Sequence, residues 1–177
     1  MRRLSTLSMI AALVAMPAFA ALPTGALAPD FRAVGALGGK TFKVHLADQL
    51  RHGPVVLYFY PKAFTSGCTL EAHAFSEAMP EFRKAGAQVI GMSADDLPLL
   101  KRFSTEACRS DFPVATATKA VVKAYDVALA SAHGTSTMTN RTSYVIARDG
   151  HIVMVHSDLD WKDHVAKSLA AVRALKK

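Results

Sequence analysis

The chain has 177 residues and is 51% hydrophobic, enough for one compact domain with a real core. Its formal net charge is +7, and Arg2 and Arg3 account for two of those charges. The remaining mild basicity has no obvious cluster, so it reads as solubility and excludes nucleic-acid binding as the leading interpretation.

Residues 1–20 stand apart from the domain, which is expected to occupy 21–177. Arg2 and Arg3 make a basic start, residues 4–16 are mostly apolar, and Ala18-Phe19-Ala20 fits an Ala-x-Ala cleavage site. The run is short for a membrane span, so a secretory signal is expected, with an uncleaved anchor as the alternative. No cysteine follows the apolar run, which argues against a lipoprotein. Export implies an oxidising compartment, the periplasm, and no stable membrane association once the signal is removed.

Residues 21–29 form a Pro/Ala/Gly lead-in. Residues 31–36 and 41–45 read as two short strands joined by Gly38-Gly39, an N-terminal β-hairpin. Residues 46–53 are a connector with room for one helical turn. Residues 55–60 are β-branched and aromatic, follow Gly53-Pro54, and read as a buried strand that Pro61 ends. A loop then leads to a helical pattern in which Cys68, Ala72, Phe75, Met79 and Phe82 fall on one face. Thr65 or Ser66 can cap that helix, and Lys84-Ala85-Gly86 can end it.

Residues 88–93 are another apolar strand. Asp95 and Asp96 can cap a helix from 97 to about 108, with Pro98 in its first turn. Residues 112–115 are a brief strand and 119–125 a short helix. Residues 127–140 read as a polar loop with His133 as its one ionisable side chain. Residues 142–147 and 152–155 form a hairpin around Asp149-Gly150. Residues 160–176 are an amphipathic helix with Trp161, Val165, Leu169 and Val172 as its apolar stripe. This order predicts an α/β fold with a mixed sheet flanked by helices. The sequence has no internal repeat and no phosphate-binding glycine loop.

Cys68 thus falls in the first turn of a helix that directly follows a central strand. Unpaired N–H groups and the positive end of the helix dipole gather there, and both favour a thiolate over a thiol. A buried core cysteine is the plain alternative. Cys108 is the second cysteine, and an oxidising compartment invites a structural disulfide between the two. A permanent bridge would remove the thiolate.

Pro61-x-x-x-Thr65-x-x-Cys68 resembles the peroxiredoxin active-site signature. The longer run Tyr58-Phe-Tyr-Pro-Lys-Ala-Phe-Thr-Ser-Gly-Cys-Thr-Leu-Glu-Ala is similar to the bacterioferritin-comigratory (peroxiredoxin Q) subfamily. Gly25-Ala-Leu-Ala-Pro-Asp-Phe31 and Arg141-Thr-Ser-Tyr-Val-Ile-Ala-Arg-Asp-Gly150 resemble two further family segments, in the same order. The resemblance implies a thioredoxin-like fold and a peroxidase that reduces hydrogen peroxide, with alkyl hydroperoxides as further substrates. It makes Cys68 the nucleophile, Thr65 a donor to thiolate and peroxide, Pro61 a shield against water, and Arg141 a positive charge for the thiolate and the reacting oxygens.

A resolving cysteine five residues after the nucleophile is replaced here by His73. The resemblance leaves Cys108 as the resolving residue, about one turn later than usual, with a one-cysteine enzyme as the alternative. A disulfide needs Cα atoms within about 7 Å, so the first turn around Cys68 would have to unwind. The implied reductant is a thioredoxin-like dithiol, and the implied state is a monomer or weak dimer. No metal or organic cofactor is implied.

His73 is expected on an exposed helix face. His45, His52, His133, His151, His156 and His164 show no ligand spacing, and Trp161 and the methionines are expected to pack. Two rivals stand beside the peroxidase. A disulfide oxidoreductase would want Cys-x-x-Cys, which Cys68-Thr-Leu-Glu71 lacks. A metal- or thiol-binding module would want a second cysteine and a partner histidine nearby. The 127–140 stretch departs in composition from the subfamily and leads into Arg141, which puts substrate access in doubt.

Overall fold

The structure is a computed structural model that describes residues 21–131 and 134–175. Residues 1–20, expected as a signal, and His133 lie outside the described residues. The elements in chain order are β1 (Arg32–Leu37), β2 (Lys40–His45), α1 (Leu46–Leu50), β3 (Val55–Phe59), α2 (Ser66–Lys84), β4 (Gln88–Ser93) and α3 (Leu97–Glu106). There follow β5 (Val114–Thr116), α4 (Lys119–Ala124), β6 (Ala128–Ser131), β7 (Gly134–Thr139), β8 (Thr142–Ile146), β9 (Ile152–Ser157) and α5 (Lys162–Ala174).

Strand β3 is apolar along its whole length because both of its faces are covered. It pairs parallel with β4, Val55 against Gln88, and antiparallel with β8, Val55 against Ile146 and Phe59 against Thr142. Seven strands form one mixed sheet in the order β2-β1-β5-β4-β3-β8-β9. Val56 and Tyr58, with Tyr60 beyond the strand end, face a core built with α2, α3 and Val172 of α5. Val55, Leu57 and Phe59 face a second core with Phe31, Val44, Val121, Tyr125 and Tyr144. The period of two along a strand thus sorts the chain into two helical layers around one sheet.

Helix α2 buries the expected stripe, Cys68, Ala72, Phe75, Met79 and Phe82, with Glu71 and Ser76 added to it. It stops at Gly86, whose φ is +74°, a value costly for any residue with a Cβ. The Gly86 N–H donates to the Arg83 carbonyl and the Ala87 N–H to the Phe82 carbonyl, which satisfies the last turn. Asp96 caps α3 by accepting from the Leu99 N–H at 3.0 Å.

Three expectations are corrected. The stretch read as a loop contains an antiparallel pair, β6 with β7. Its polar composition reads as a loop, but β-branched threonine at every second position, Thr135, Thr137 and Thr139, also suits a strand. Thr139 is fully buried, and its hydroxyl donates to the Tyr60 carbonyl at 2.6 Å. Helix α3 ends before Cys108, at Glu106 with Ala107 as its C-cap. In α5 the deeply buried residues are His164, Ser168 and Val172, while Val165 and Leu169 are only partly covered. Among the described residues no helix is long and apolar enough to cross a membrane.

Candidate active site

The register of the sheet assembles the site. Phe59 at the end of β3 lies opposite Thr142 at the start of β8, so the residue before β8, Arg141, reaches the loop that follows β3. That loop leads into α2, whose third residue is Cys68, 2% exposed. The Arg141 guanidinium lies with Nη2 3.4 Å from the Cys68 sulfur. Residues 73 positions apart thereby face each other inside the protein. A Cβ built on Gly67 would stand 3.4 Å from Arg141 Nη2 and 3.7 Å from Trp161, so the guanidinium passes close over that glycine.

Arg141 is held on three sides. Its Nε donates to the Leu159 carbonyl at 2.9 Å, its Nη1 donates to Glu71 Oε2, and its Nη2 faces the sulfur. Burial works against the arginine's charge, but the acidic groups Glu71 and Cys68 beside it outweigh that and hold Arg141 above its ordinary range. Glu71, one turn along α2 from Cys68, is fully buried. Burial pushes its carboxyl up to about 8, against the pull of Arg141.

His164 and Ser143 complete the back of the site. The Ser143 hydroxyl and His164 Nδ1 are 2.8 Å apart, His164 Nε2 is 2.9 Å from the Asp158 carbonyl, and Nδ1 is 3.7 Å from Glu71 Oε1. Burial pushes His164 down to about 4, so its ring is neutral at pH 7. Sequence reading missed Glu71, Ser143 and His164 as site residues. Glu71 entered only as the residue standing where a Cys-x-x-Cys motif would have its second cysteine, and nothing in the spacing of His164 marked it.

The other expected residues fall around the sulfur's loop. Thr65 is the N-cap of α2, but its side chain does not cap; the hydroxyl donates instead to the Lys62 carbonyl at 2.9 Å. Ser66 is the first helical residue. Pro61 is half-buried directly after Tyr60. The loop is pinned from below, where the Ala63 N–H donates to Asp95 Oδ2 at 2.7 Å. Phe64 adopts a left-handed φ of 63° and packs edge-on against Phe103, with the Arg102 guanidinium 5.1 Å from its ring centre. A non-glycine residue in that region is held there by its surroundings.

Cys108 lies in the same core as Cys68, fully buried, and both cysteines are free thiols. The structural disulfide is therefore not formed. Burial drives the Cys108 pKa far upward, so this sulfur is held as a thiol. Arg109 and Ser110, directly after it, both have left-handed φ, 50° and 61°. His73 is half-buried rather than exposed. Among the described residues, no group of three or more His, Cys, Asp or Glu side chains is placed to hold a metal ion. A cleft of about 690 Å³ lies against β1 and β2, lined in part by Arg32, Lys43 and His45, and none of its walls belongs to the Cys68 site.

Residues 24–155 match the model of the AhpC/TSA family, which spans three quarters of the chain. The chain belongs to the peroxiredoxin family. A putative peroxiredoxin of Mycobacterium tuberculosis is 32% identical over 157 residues, covering 88% of this chain and 99% of the relative. The crystal structure of peroxidoxin BcpB from Mycobacterium tuberculosis superposes with a TM-score of 0.77 at 31% identity, covering 87% of this chain and 98% of that one. A structure of the Xanthomonas campestris bacterioferritin comigratory protein, described for its alkyl peroxide reduction activity, superposes with a TM-score of 0.70 at 28% identity, covering 81% and 92%. The peroxiredoxin described here has the thioredoxin-like fold and is a thiol-dependent peroxidase. The family match ends at residue 155, so it does not extend to Trp161 and His164 at the start of α5.

Proposed function

We propose that this peroxiredoxin uses Cys68 as its peroxidatic nucleophile, acting on hydrogen peroxide and on alkyl hydroperoxides. The observation that carries the reading is the buried guanidinium of Arg141 with Nη2 3.4 Å from the Cys68 sulfur. The thiolate attacks one peroxide oxygen, the O–O bond breaks, and sulfur becomes a sulfenic acid. The leaving oxygen departs with the electron pair and takes a proton to become water or an alcohol. Arg141 stabilises the negative charge as it moves from sulfur to the leaving oxygen. Pro61 and the loop around it limit water at the sulfur, and Thr65 at the helix start, its hydroxyl donating to the Lys62 carbonyl, offers the oxygen as acceptor to the incoming peroxide.

Cys108 is the resolving residue in this scheme. Its thiol condenses with the sulfenic acid, forming a disulfide and releasing water, and a thioredoxin-like dithiol reduces that disulfide by exchange. The step needs α2 to unwind at its first turn and the segment after α3 to open, since both sulfurs start buried. The left-handed pair Arg109 and Ser110 is compatible with a segment that opens there. The basic and apolar pattern of residues 1–20 supports export to the periplasm, where the enzyme works as a monomer or weak dimer.

Intact mass after one equivalent of hydrogen peroxide tests the scheme on the parent chain and on Cys108→Ser. The expected result is a loss of about two daltons in the parent and a stable gain of about one oxygen in the variant. Oxygen gain in both assigns a one-cysteine mechanism. No mass change in either returns Cys68 to a structural role.

A further inference from the structure

The buried side chains behind Cys68 hold more acids than the single arginine can neutralise. Cys68 and Glu71 sit three residues apart on α2 and contact different nitrogens of one guanidinium. Glu71 is 0% exposed and Arg141 5%. Two anions against one cation at that depth leave an uncompensated buried charge, which is strongly disfavoured. The pair of acids therefore keeps one proton between them while Arg141 stays charged.

The hydrogen bonds say which acid holds it. The Asp158 carbonyl can only accept, so His164 Nε2 is the protonated nitrogen of a neutral ring. His164 Nδ1 then carries a lone pair and accepts from the Ser143 hydroxyl. Glu71 Oε1 faces that nitrogen at 3.7 Å and makes no hydrogen bond within the protein. An ionised oxygen there would face a lone pair with no donor to stabilise its charge, whereas a protonated one presents no charge to that nitrogen. Among the described residues, Arg141 before β8, His164 on α5, Tyr58 on β3 and Cys68 on α2 itself are the ionisable groups that act on Glu71. The tyrosine, with its pKa raised by burial, adds no charge near neutrality.

We propose that His164 and Ser143 are positioning residues that hold Glu71 as a protonated acid opposite the Cys68 thiolate, and that Glu71 ionises when peroxide consumes the thiolate. This rests on the assignment of Cys68 as nucleophile. The reaction balances as thiolate plus protonated Glu71 plus hydroperoxide giving sulfenic acid, Glu71 carboxylate and alcohol or water. Sulfur is oxidised and the peroxide reduced; the S–O bond forms, the O–O bond breaks, and the proton that neutralises the leaving oxygen is matched by the one Glu71 gives up. With Arg141 the group is neutral before and after the step. The raised Glu71 pKa, about 8, agrees with a protonated acid at pH 7.

Infrared difference spectroscopy of the full chain, reduced against peroxide-treated at pH 7, tests this directly on Cys108→Ser, where oxidation stops at the sulfenic acid. The expected spectrum loses one protonated-carboxyl band on oxidation. Carbon-13 glutamate labelling moves that band, and Glu71→Gln removes it. Ser143→Ala shifts the band and slows the reaction with peroxide about tenfold, as loss of a positioning contact does. The rate constant of the unsubstituted protein falls about tenfold from pH 7 to pH 9 as Glu71 ionises, and that of Glu71→Gln stays flat. An oxygen gain by mass with no carboxyl band lost overturns the proposal and leaves Cys68 as nucleophile. Absence of the oxygen gain overturns the nucleophile assignment itself. The labelled, Glu71-intact chain decides the matter even where Glu71→Gln does not fold, and an unmoved band and rate in Ser143→Ala overturn the positioning role.

Discussion

Cys68 and Cys108 are buried in the same core, on the same side of the sheet, and both are free thiols. They differ in what surrounds them. Cys68 sits at the start of a helix with a guanidinium against its sulfur. Cys108 follows the end of a helix, packs in the core that contains Phe103 and Phe112, and is held as a thiol by burial. Burial by itself silences a cysteine, because it penalises the thiolate. What sets one buried sulfur apart is an opposite charge brought in from the residue before a distant strand. The pair is a controlled comparison within one molecule.

Removing that charge is the largest way to break the comparison. Arg141→Met is expected to lower kcat/KM for hydrogen peroxide roughly 10²–10³-fold, the usual cost of losing a donor aimed at developing charge. Steady-state peroxide consumption checks it. A loss under threefold would mean that the helix start alone distinguishes the two sulfurs. Next in size, a thiol-alkylating reagent is expected to modify Cys68 at least about 100-fold faster than Cys108 in the folded reduced chain, since alkylation follows thiolate content. Peptide mapping against time reads this, and the gap should close in denaturing urea. Equal rates in the folded chain would erase the difference. The smallest effect sharpens it. Gly67→Ala places a methyl group 3.4 Å from Arg141 Nη2, so peroxidase activity should fall by about threefold or less. The same change removes a helical glycine, so stability in a urea titration should hold or rise by about 0.5 kcal/mol.

The placement of Cys68 was legible in the sequence. Thr65 and Cys68 sit at a strand-to-helix junction, and helical spacing put Cys68 on the buried stripe of α2. Arg141 carried no local signal, since an arginine before a strand looks like any surface arginine. Its segment gave it away only through a likeness to a family. Ser143 lay in that same segment without being singled out, and His164 had neither kind of signal. Burying a histidine contradicts the apolar stripe that periodicity predicts for α5, and the partners that satisfy it, the Ser143 hydroxyl and the Asp158 carbonyl, come from outside the helix. The β6–β7 pair was hidden for a related reason. Its residues are polar, and the contact that anchors it, Thr139 to the Tyr60 carbonyl, spans 79 positions. Local pattern reads faces of elements; it does not read polar partners supplied from elsewhere.

Asp95 and Asp96 are neighbours that hold different things. Asp95 takes the Ala63 N–H and the Ser93 hydroxyl, fixing the loop that leads to Cys68. Asp96 takes the Leu99 N–H at the head of α3, the helix that leads to Cys108. The two levers of the molecule therefore turn on one dipeptide. A pull on either segment is felt within a single peptide bond by the anchor of the other, so a substitution at this junction would loosen both ends of the cysteine pair together.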